Sequence, residues 1–574
     1  MNGEKENFKV NGIILAAGIG TRLRPVTDFI PKPLLPVNGT PLLETIIQKM
    51  KSAGIAKLAV NTHHLAERME SFVKNSQYAS YATLYHETEI LGTGGPLVNA
   101  KDLLSETDCF VLYNGDILSD LDIGKLVDFH MTSGKMVTMV LLNGPENRVL
   151  MHPDSRTSGT VIDILGKIGK TSPSARLLTY SGIAVFSRDI FKYLPEKPVN
   201  CSIITAILDA LREKPGSVGA YLPEKILWND IGTVAKYFSL ISSPVKQKPQ
   251  TPAASPIRVY PLAEQGSNRK FYRLSYPDSS KVVMVSYPED QDFDRFIKAG
   301  TYLFRNGLGT PEIFGHDKAQ LAVLIEDLGD DTVYKLLKKK NKGEVYRTVI
   351  DWLVDFQKRT CELGDECRKE IDRAFDYPGL RWETEYFTEN FLKRYLGVPE
   401  EKCSGLQPRF DLIAQEALKQ PQVLVHRDFQ SQNIMIKDDK VRIVDFQGAR
   451  FGPVAYDLMS LLKDGYVDIP APLRREMQEY YYRRTQETGV KELTFSEEQF
   501  RKHAVIAGLQ RNMQALGAFT FLSLVKGKSK YLDYIPNGVK NLIEGIDELE
   551  SLPDRPTTLP VLLEILMNSP KLAR

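Results

Sequence analysis

Cysteine is scarce in this chain of 574 residues, and its distribution excludes two classes of protein. Only five cysteines occur, and none has the spacing of a metal site: Cys109, Cys201, Cys361, Cys367 and Cys403. An odd number of scattered cysteines also argues against a disulfide framework. We therefore expect reduced thiols and a cytoplasmic location.

An excess of charge and long apolar runs are also lacking. The 74 basic and 72 acidic residues leave a net charge of only +2, so a nucleic-acid scaffold is not expected and any phosphate affinity must be local. No uninterrupted apolar stretch approaches the roughly 20 residues that span a bilayer. Residues 1–9 are polar and charged, without the apolar core of a signal peptide. We predict no nucleic-acid partner and no membrane partner.

A proline-rich stretch divides the chain. Residues 242–256 contain four prolines among small polar residues and few large apolar groups, which is typical of an extended linker. The length of the chain favours two to four domains. We predict one domain over residues 1–241 and a second over residues 257–574, while the oligomeric state is not predicted.

Strand and helix patterns alternate before this linker. Short apolar runs predict strands at 12–16, 57–62, 82–86 and 110–113. Amphipathic periodicity predicts helices over 42–53, capped by Thr40, and over 66–73. Such alternation favours an α/β, Rossmann-like domain with a parallel sheet and with ligands at the carboxyl ends of its strands.

The pattern changes after the linker. Residues 259–288 alternate like antiparallel hairpin strands, and helical periodicity dominates from about residue 335. Short strands are predicted at 423–425 and 442–444. A sheet-rich lobe over about 257–330 and a helical lobe over about 331–574 predict a two-lobed, protein-kinase-like (α+β) domain.

A glycine-rich turn follows the first predicted strand. The string runs from Leu15 to Leu23 and is followed by Pro31-Lys32-Pro33. Glycines there let backbone N–H groups approach phosphate oxygens, and Arg22 and Lys32 add positive charge where a triphosphate would lie. This combination predicts a nucleotide-binding loop.

The first domain resembles the sugar-1-phosphate nucleotidyltransferases over about residues 10–241. Further strings carry the resemblance: residues 91–95, Asn114-Gly115-Asp116, residues 181–183 and 228–233. The resemblance implies Mg²⁺ held by Asp116 and Asp230, and a sugar phosphate near Asn114, Gly182 and Lys167. The family's Glu-Lys-Pro element is missing and 165–167 is the candidate to replace it, so Lys167 is either a sugar-phosphate ligand or a solvated loop lysine. The implied nucleotide contacts are Leu15, Ala16, Ala17, Gly18, Gly20, Thr21, Arg22, Gly92 and Gly94.

The chemistry of such a transferase suits these residues. A sugar 1-phosphate is already an anion and attacks the α-phosphorus without losing a proton, so no general base is needed. Catalysis then depends on alignment and on neutralisation of charge by the metal, Arg22 and Lys32.

A second catalytic pattern lies in the other half of the chain. His426-Arg427-Asp428 is followed by Asn433, and Asp445-Phe446 comes after another short strand. Phosphate transfer to a neutral hydroxyl needs a base beside the acceptor and oxygen ligands for Mg²⁺ on the nucleotide. We predict Asp428 as the base, with Asn433 and Asp445 as metal ligands. Asp457 is expected to stabilise the loop or a helix start.

The second domain resembles aminoglycoside-phosphotransferase-like kinases, and most closely the anomeric amino-sugar kinases that act on N-acetylmuramate and N-acetylglucosamine. Residues 445–453 and 456–462 carry that resemblance. It implies ATP contacts in a short phosphate loop and a hinge, through Gly266, Ser267, Asn268, Arg269, Glu326 and Leu328. Residues 282–286 lack the usual strand lysine, and Arg269, Lys270 and Lys281 are candidates to replace it. Glu383 is a candidate sugar ligand, with an ordinary exposed carboxylate as the alternative.

Together the two patterns suggest a bifunctional enzyme. The kinase would phosphorylate an amino sugar at its anomeric hydroxyl with ATP, and the transferase would couple the 1-phosphate to an NTP, expected to be UTP, in cell-wall sugar salvage. One alternative is a choline kinase fused to a phosphocholine cytidylyltransferase. Another is a pseudokinase module that regulates the transferase, which the missing strand lysine favours and the intact acidic residues oppose.

Overall fold

A computed structural model describes residues 9–144, 146, 148–242, 257–262 and 268–572. The described residues pack into two compact units. The first unit draws on residues 1–264, 269–287 and 315–324, and the second draws on 265–268, 288–314 and 325–574. The predicted domain boundaries at 241 and 257 stay a prediction.

The strands are short and most of them lie in the first half of the chain. Their bounds are β1 Asn11–Leu15, β2 Pro36–Val37, β3 Thr40–Pro41, β4 Leu58–Thr62, β5 Ala82–His86, β6 Cys109–Asn114, β7 Ile117–Ser119, β8 Val137–Leu142, β9 Val149–Pro153, β10 Ser158–Ile164, β11 Arg176–Ser187, β12 Val218–Tyr221, β13 Trp228–Asp230, β14 Arg258–Pro261, β15 Lys270–Ser275, β16 Ser280–Val285, β17 Ile313–Asp317, β18 Ala322–Glu326, β19 Gln422–Val425, β20 Ile434–Lys437, β21 Lys440–Ile443 and β22 Arg450–Pro453.

The α-helices dominate the second half. They are α1 Leu42–Ser52, α2 Ala66–Lys74, α3 Gly95–Asn99, α4 Lys101–Leu104, α5 Ile123–Ser133, α6 Ile203–Glu213, α7 Val234–Ser242, α8 Phe293–Arg305, α9 Val333–Leu336, α10 Lys342–Ile371, α11 Tyr377–Phe387, α12 Glu400–Lys419, α13 Tyr456–Leu462, α14 Ala471–Gln486, α15 Glu497–Leu524, α16 Ile535–Glu550 and α17 Pro560–Asn568. Among the described residues, none of these helices combines the length and apolar character needed to cross a membrane.

A nine-stranded sheet organises the first unit, in the order β5-β4-β1-β6-β11-β8-β12-β10-β9. The four strands β5, β4, β1 and β6 are parallel, as predicted. The prediction of a parallel sheet is wrong at β11, which runs antiparallel to β6, β8 and β9, and at β10, which runs antiparallel to β12 and β9, whereas β12 and β8 are parallel. The parallel part brings the carboxyl ends of β1 and β6 side by side, with Leu15 opposite Asn114.

The core lies on both faces of this sheet. Ile13 and Ile14 are consecutive and fully buried, yet each packs into a different hydrophobic cluster, because successive side chains point to opposite faces of a strand. Helix α1 contributes five buried side chains, but Thr40 does not cap it as predicted. Pro41 occupies the N-cap, and Thr40 pairs with Val37 instead.

Strands β14, β15 and β16 pair antiparallel, which confirms the predicted hairpin pattern. They belong to a five-stranded sheet in the order β14-β15-β16-β18-β17. In the second unit, the long helix α15 packs against α11, α13 and α16. The short strands β19 to β22 lie among these helices and frame the predicted catalytic residues.

His130 makes the stability of the first unit sensitive to acid. Its side chain is buried on α5, with Nδ1 2.8 Å from Thr138 Oγ1, and burial lowers its pKa to about 4. The unfolded chain takes up this proton near the ordinary pKa of about 6.5, so the stabilisation is complete above that value and is lost as the pH falls towards 4. The free energy of unfolding of the wild-type protein falls when the pH is lowered from 7 to 5. In His130→Gln we expect this fall to be smaller by about 2 kcal/mol.

Urea unfolding at both pH values measures the effect. The exposed His152 offers a matched control, and His152→Gln should follow the wild-type pH dependence. An identical response of wild type and His130→Gln would contradict the assignment.

Candidate active sites

A pocket of about 300 Å³ lies where β1 and β6 end. Its walls combine the glycine-rich turn with residues from β4, β6 and the segment before α3. The lining residues are Leu15, Ala16, Ala17, Gly18, Gly20, Thr21, Arg22, Lys32, Pro33, Asn61, Ile90, Gly92, Thr93, Asn114, Gly115, Asp116 and Gly232. The predicted nucleotide loop therefore borders one cavity with Lys32, Gly92, Asn114 and Asp116, whereas Gly94, Lys167, Gly182 and Asp230 are not among the lining residues.

The turn itself requires glycine at position 20. Gly20 has φ +68°, and a Cβ there would lie 2.8 Å from Thr27 Cγ2. Thr27 Oγ1 donates a hydrogen bond of 3.0 Å to the Gly20 carbonyl, which fixes the turn from behind. The loop is thus held in a shape that leaves its front open towards the pocket.

Lys32 and Asp116 form an ion pair in this pocket. Lys32 Nζ lies 2.6 Å from Asp116 Oδ2, with 11% of the lysine side chain and 29% of the aspartate side chain exposed. Both side chains remain in reach of solvent, so an anionic ligand and its cation can compete for them. The pair places a positive and a negative group together at the base of the predicted triphosphate site.

Asp230 lies beside Asp116. Strand β13 pairs with β7 so that Asp230 is opposite Ile117, and the backbone N–H of Ile231 donates to the Asp116 carbonyl at 3.1 Å. Asp230 Oδ1 is buried and makes no hydrogen bond within the described part of the chain. A buried carboxylate oxygen with no donor is costly, and a cation is one partner that would satisfy it. The two carboxylates fit Mg²⁺ carried by a nucleotide.

Two polar residues that the sequence did not single out support the loop. Asn61 Oδ1 accepts from the backbone N–H of Ala16 at 2.5 Å, and Asn61 Nδ2 donates to Glu87 Oε1 at 2.7 Å. Glu87 is 1% exposed, and its other oxygen accepts from the N–H of Leu91 at 3.0 Å. This chain of hydrogen bonds ties the glycine-rich turn to the segment that contains Gly92. The sequence offered one indication of this role, since Asn61 is a polar residue directly after the apolar run 58–60.

The predicted sugar-phosphate residues fall into two groups. Gly182 has φ +82°, and its absent side chain leaves room for Asn114, whose Nδ2 would lie 2.7 Å from a Cβ. Asn114 lines the pocket. Of the two predicted nucleotide contacts before α3, Gly92 also lines it, whereas Gly94 does not, and the N–H of Gly94 donates to the Cys201 carbonyl at 2.8 Å. Lys167 is exposed on a turn after β10 and is not a lining residue.

The second site is built on the loop between β19 and β20. The backbone N–H groups of His426 and Arg427 donate to the two oxygens of Asp457, at 2.6 and 3.0 Å. Asp457 is fully buried at the start of α13. The two hydrogen bonds lower its pKa, but burial has the larger effect and raises the pKa to about 7. Asp457 therefore holds the predicted catalytic loop, as expected from the sequence.

Asp428 is held by an arginine from a distant helix. Arg511 Nη2 lies 3.3 Å from Asp428 Oδ1, and Arg511 is 3% exposed. Burial tends to raise the pKa of Asp428, but the guanidinium groups of Arg427 and Arg511 outweigh it and hold the pKa below its ordinary value. Asp428 is accordingly ionised at neutral pH, as a general base must be.

Backbone hydrogen bonds join the two predicted metal loops. The N–H of Val444 donates to the Asn433 carbonyl at 3.0 Å, and Val444 immediately precedes Asp445. Asn433 Nδ2 donates to the Asp428 carbonyl at 2.9 Å, and Gln447 Nε2 donates to Asp445 Oδ1 at 2.5 Å. Asp428, Asn433 and Asp445 thus lie on two loops that are joined by hydrogen bonds.

Their oxygen donors suit a hard cation such as Mg²⁺. Within the described residues no three acidic, histidine or cysteine side chains form a ready-made metal cluster. Mg²⁺ in nucleotide sites is commonly bound by one or two protein oxygens together with phosphate oxygens, and two such protein residues are present here.

Only some of the predicted ATP contacts lie within the described residues. Gly266 and Ser267 lie outside the described residues, Asn268 is exposed and Arg269 is buried. The Glu326 carboxylate pairs with Lys437 Nζ at 2.8 Å and Arg442 Nη2 at 2.5 Å. Burial opposes its ionisation, but these two cations overcome that effect and lower its pKa to about 2. The side chain of Glu326 is thus engaged in the fold, and Leu328 is buried beside it.

Two families match this chain. The nucleotidyl transferase family matches residues 11–246, and the phosphotransferase enzyme family matches residues 258–493. The N-acetylmuramate/N-acetylglucosamine kinase of Pseudomonas aeruginosa is 30% identical over 310 residues, which cover 53% of this chain and 89% of that protein.

The first half has its own relatives. The UTP–glucose-1-phosphate uridylyltransferase of Synechocystis is 28% identical over 45% of this chain and 69% of that protein. The mannose-1-phosphate guanylyltransferase of Mycobacterium tuberculosis is 29% identical over 39% of this chain and 62% of that protein.

The second half belongs to the kinase family and the first half matches the nucleotidyl transferase family: the chain is a fusion of a sugar-1-phosphate nucleotidyltransferase domain with a sugar kinase. The predicted fusion is confirmed, and so are the two predicted enzyme activities, a sugar kinase and a sugar-1-phosphate nucleotidyltransferase.

Glu383 has a structural setting in the kinase that the sequence did not indicate. It is 0% exposed, so the alternative of an ordinary exposed carboxylate is wrong. The hydroxyl of Tyr456 lies 3.0 Å from both of its oxygens, Gln510 Nε2 donates at 3.1 Å, and Arg427 Nε lies 3.5 Å away. Glu383 thus supports the residue that precedes Asp428, and its role as a sugar ligand stays a prediction.

Arg511 is the residue of the kinase site that sequence reasoning missed. It lies 83 positions after Asp428 and beyond the segment that the phosphotransferase family matches. Arg511 Nε donates to Ser460 Oγ at 3.0 Å, and its Nη1 donates to Gln514. Two further contacts thus fix the guanidinium that meets Asp428. No local pattern could have marked it.

We expect Arg511→Gln to lower the kinase kcat by about 100-fold, because a displaced base loses its alignment with the acceptor. Arg511→Lys should retain an intermediate rate, since it keeps the charge but not the planar fork of donors. Steady-state kinetics measure both, and the nucleotidyltransferase rate of each variant reports on folding of the rest of the chain. Arg501 is exposed on the same helix, so Arg501→Gln is the matched control. An unchanged kcat in Arg511→Gln would refute the positioning role.

Proposed function

We propose that the kinase phosphorylates the anomeric hydroxyl of an amino sugar of the N-acetylmuramate or N-acetylglucosamine type with ATP. The nucleotidyltransferase then couples the 1-phosphate to UTP and releases pyrophosphate, in the salvage of cell-wall sugars. The observation that carries this proposal is that one chain combines Asp428, paired with Arg511, and a pocket that contains the ion pair of Lys32 and Asp116. The product of the first reaction is the substrate class of the second.

In the kinase step, Asp428 accepts the proton of the anomeric hydroxyl as the oxygen attacks the γ-phosphorus of ATP. The bond from that phosphorus to the bridging oxygen of ADP breaks, and ADP leaves. The low pKa of Asp428 keeps it ready as an acceptor at neutral pH. Arg511 and Asp457 hold the side chain and the loop in place.

In the transferase step, a phosphate oxygen of the sugar 1-phosphate attacks the α-phosphorus of UTP. The bond to the β-phosphate breaks and pyrophosphate leaves. No proton has to be removed, because the attacking phosphate oxygen is already anionic. Arg22 and Lys32 neutralise charge on the triphosphate, and the backbone of the glycine-rich turn orients it. Asn433 and Asp445 would hold Mg²⁺ in the kinase site, and Asp116 and Asp230 would hold it in the transferase site, where the ion would supply further positive charge.

The identity of the sugar and of the base is tested together. The full-length enzyme with Mg²⁺ is incubated with each member of a panel of sugars and choline, with ATP and each of UTP, CTP, GTP and dTTP. Mass spectrometry then identifies the products. A sugar phosphate and a UDP-sugar with N-acetylmuramate or N-acetylglucosamine support the proposal. Phosphocholine with CDP-choline, or no phosphorylated acceptor at all, overturns it.

A further inference from the structure

One of the two hydrophobic clusters on the large sheet receives residues from both halves of the chain. Residues from β15, β16 and β18 of the kinase lie in the same buried cluster as Ile14, Val60 and Val111 of the large sheet. The kinase members of this cluster are 0–3% exposed: Ile257, Tyr272, Leu274, Val283, Ala322 and Leu324. These strands therefore bury apolar side chains in the core of the nucleotidyltransferase.

An aromatic stack lies in this shared core. The rings of Phe238 on α7 and Tyr272 on β15 are stacked, with centroids 3.8 Å apart and an interplanar angle of 19°. Both side chains are 3% exposed. Helix α7 ends at Ser242, the first residue of the predicted linker, so the last helix of the nucleotidyltransferase packs directly on the kinase sheet.

A second contact involves Arg68. Its guanidinium carbon lies 4.6 Å from the ring centroid of Phe29 and 4.4 Å from that of Tyr276, just beyond β15. Phe29 and Tyr276 also meet edge to face, at 5.8 Å. Arg68 Nη1 donates to the Phe29 carbonyl, so the cation is fixed between the two rings.

This contact lies next to the nucleotide loop. Phe29 directly follows the short helical turn Val26–Asp28, which contains the Thr27 that hydrogen-bonds Gly20. On β17, a Cβ at Gly315 would lie 3.5 Å from Asp28 Oδ2 and 3.6 Å from Pro25 Cβ. The kinase sheet thus contacts the segment that supports the triphosphate pocket.

We propose that the nucleotidyltransferase is a structural subunit of the kinase: strands β14–β16 and β18 hold their fold by packing on it, and they remain bound when the chain is cut between the halves. The basis is burial: separation would expose the Tyr272 face and the Tyr276 ring to water, and large exposed apolar patches are unfavourable in soluble proteins. The interface is independent of which sugar or base is used. Kinase activity therefore requires the Arg68 and Phe238 contacts, although no residue of the nucleotidyltransferase takes part in the kinase chemistry.

The experiment places a specific protease site within residues 243–256 of the full-length enzyme, which lie outside the described residues. After cleavage, size-exclusion chromatography and both activities are measured. We expect the fragments to elute together at the size of the uncut chain and the kinase rate to stay within twofold. Fragments that separate and each keep full activity would overturn the proposal.

Variants of the contact sharpen the result. In Arg68→Glu with Tyr276→Ala, we expect the cut fragments to separate and the kinase rate to fall at least tenfold. Arg148 is 62% exposed on the same half, so Arg148→Glu is the matched control and should behave like the cleaved wild type. Continued co-elution and full kinase activity of the double variant after cleavage would also refute the proposal.

Discussion

Replacing Asp428 with Asn is expected to lower the kinase kcat by about 10³–10⁴-fold and to leave nucleotidyl transfer within twofold of wild type. The amide has nearly the same shape but cannot accept the proton of the acceptor hydroxyl. Removing the charge also leaves Arg511, which is 3% exposed, without its anionic partner. ADP release with saturating sugar measures the kinase, and pyrophosphate release from UTP and the sugar 1-phosphate measures the other reaction.

The turn between β20 and β21 offers a control for that change. Asp439 is exposed there, and Asp439→Asn makes the same change in charge within the same part of the chain. Its kinase rate should match wild type. If Asp428→Asn retained more than a tenth of the wild-type kcat, Asp428 would not be the base. If both activities fell together, the effect would be on folding.

Asp116→Asn is expected to have the opposite selectivity. We predict a loss of about 10²–10³-fold in nucleotidyl transfer, with the kinase rate unchanged, because the carboxylate is lost both as a cation ligand and as the partner of Lys32. The Mg²⁺ concentration that gives half-maximal transfer should rise as well. Asp128 is exposed on α5, and Asp128→Asn is the matched control.

A mixture of the Asp428→Asn and Asp116→Asn variants, each of which lacks one of the two activities, adds a check on both assignments. Asp428→Asn still carries out transfer and Asp116→Asn still carries out phosphorylation, so the mixture should form the nucleotide sugar from free sugar. Failure of the mixture, with each single activity intact, would show that the 1-phosphate does not pass through solution. A kinase rate that fell in Asp116→Asn would contradict the assignment of Asp116 to the transferase alone.

Much of the fold follows from local patterns in the sequence. The strand predicted at 82–86 is β5, and the helix predicted at 66–73 is α2 with one further residue. Short apolar runs and helical periodicity are local properties, so they mark elements well. The antiparallel course of β11 was not predicted, because strand direction depends on partners distant in sequence. The cap at Thr40 failed for a local reason, since residues 40 and 41 pair as a strand instead.

The sites were predicted in part for the same reason. Motif residues on one loop, such as Asp428 and Asn433, were found together in sequence and lie together in the fold. Asn61 supports Ala16 from 45 positions away, and Arg511 contacts Asp428 from 83 positions away. Such partners depend on tertiary packing and have no motif. The shared core at Tyr272 was likewise not foreseen, because an apolar strand does not reveal what covers it.

The most direct test of the two-step account follows one phosphate through both reactions. The full-length enzyme is incubated with N-acetylmuramate or N-acetylglucosamine, ATP labelled with ³²P in the γ-phosphate, unlabelled UTP and Mg²⁺. We predict that the label appears first in the sugar phosphate and then in the sugar-proximal phosphate of the UDP-sugar, with none in pyrophosphate. A UDP-sugar without label, or label that never leaves ATP, would contradict the account.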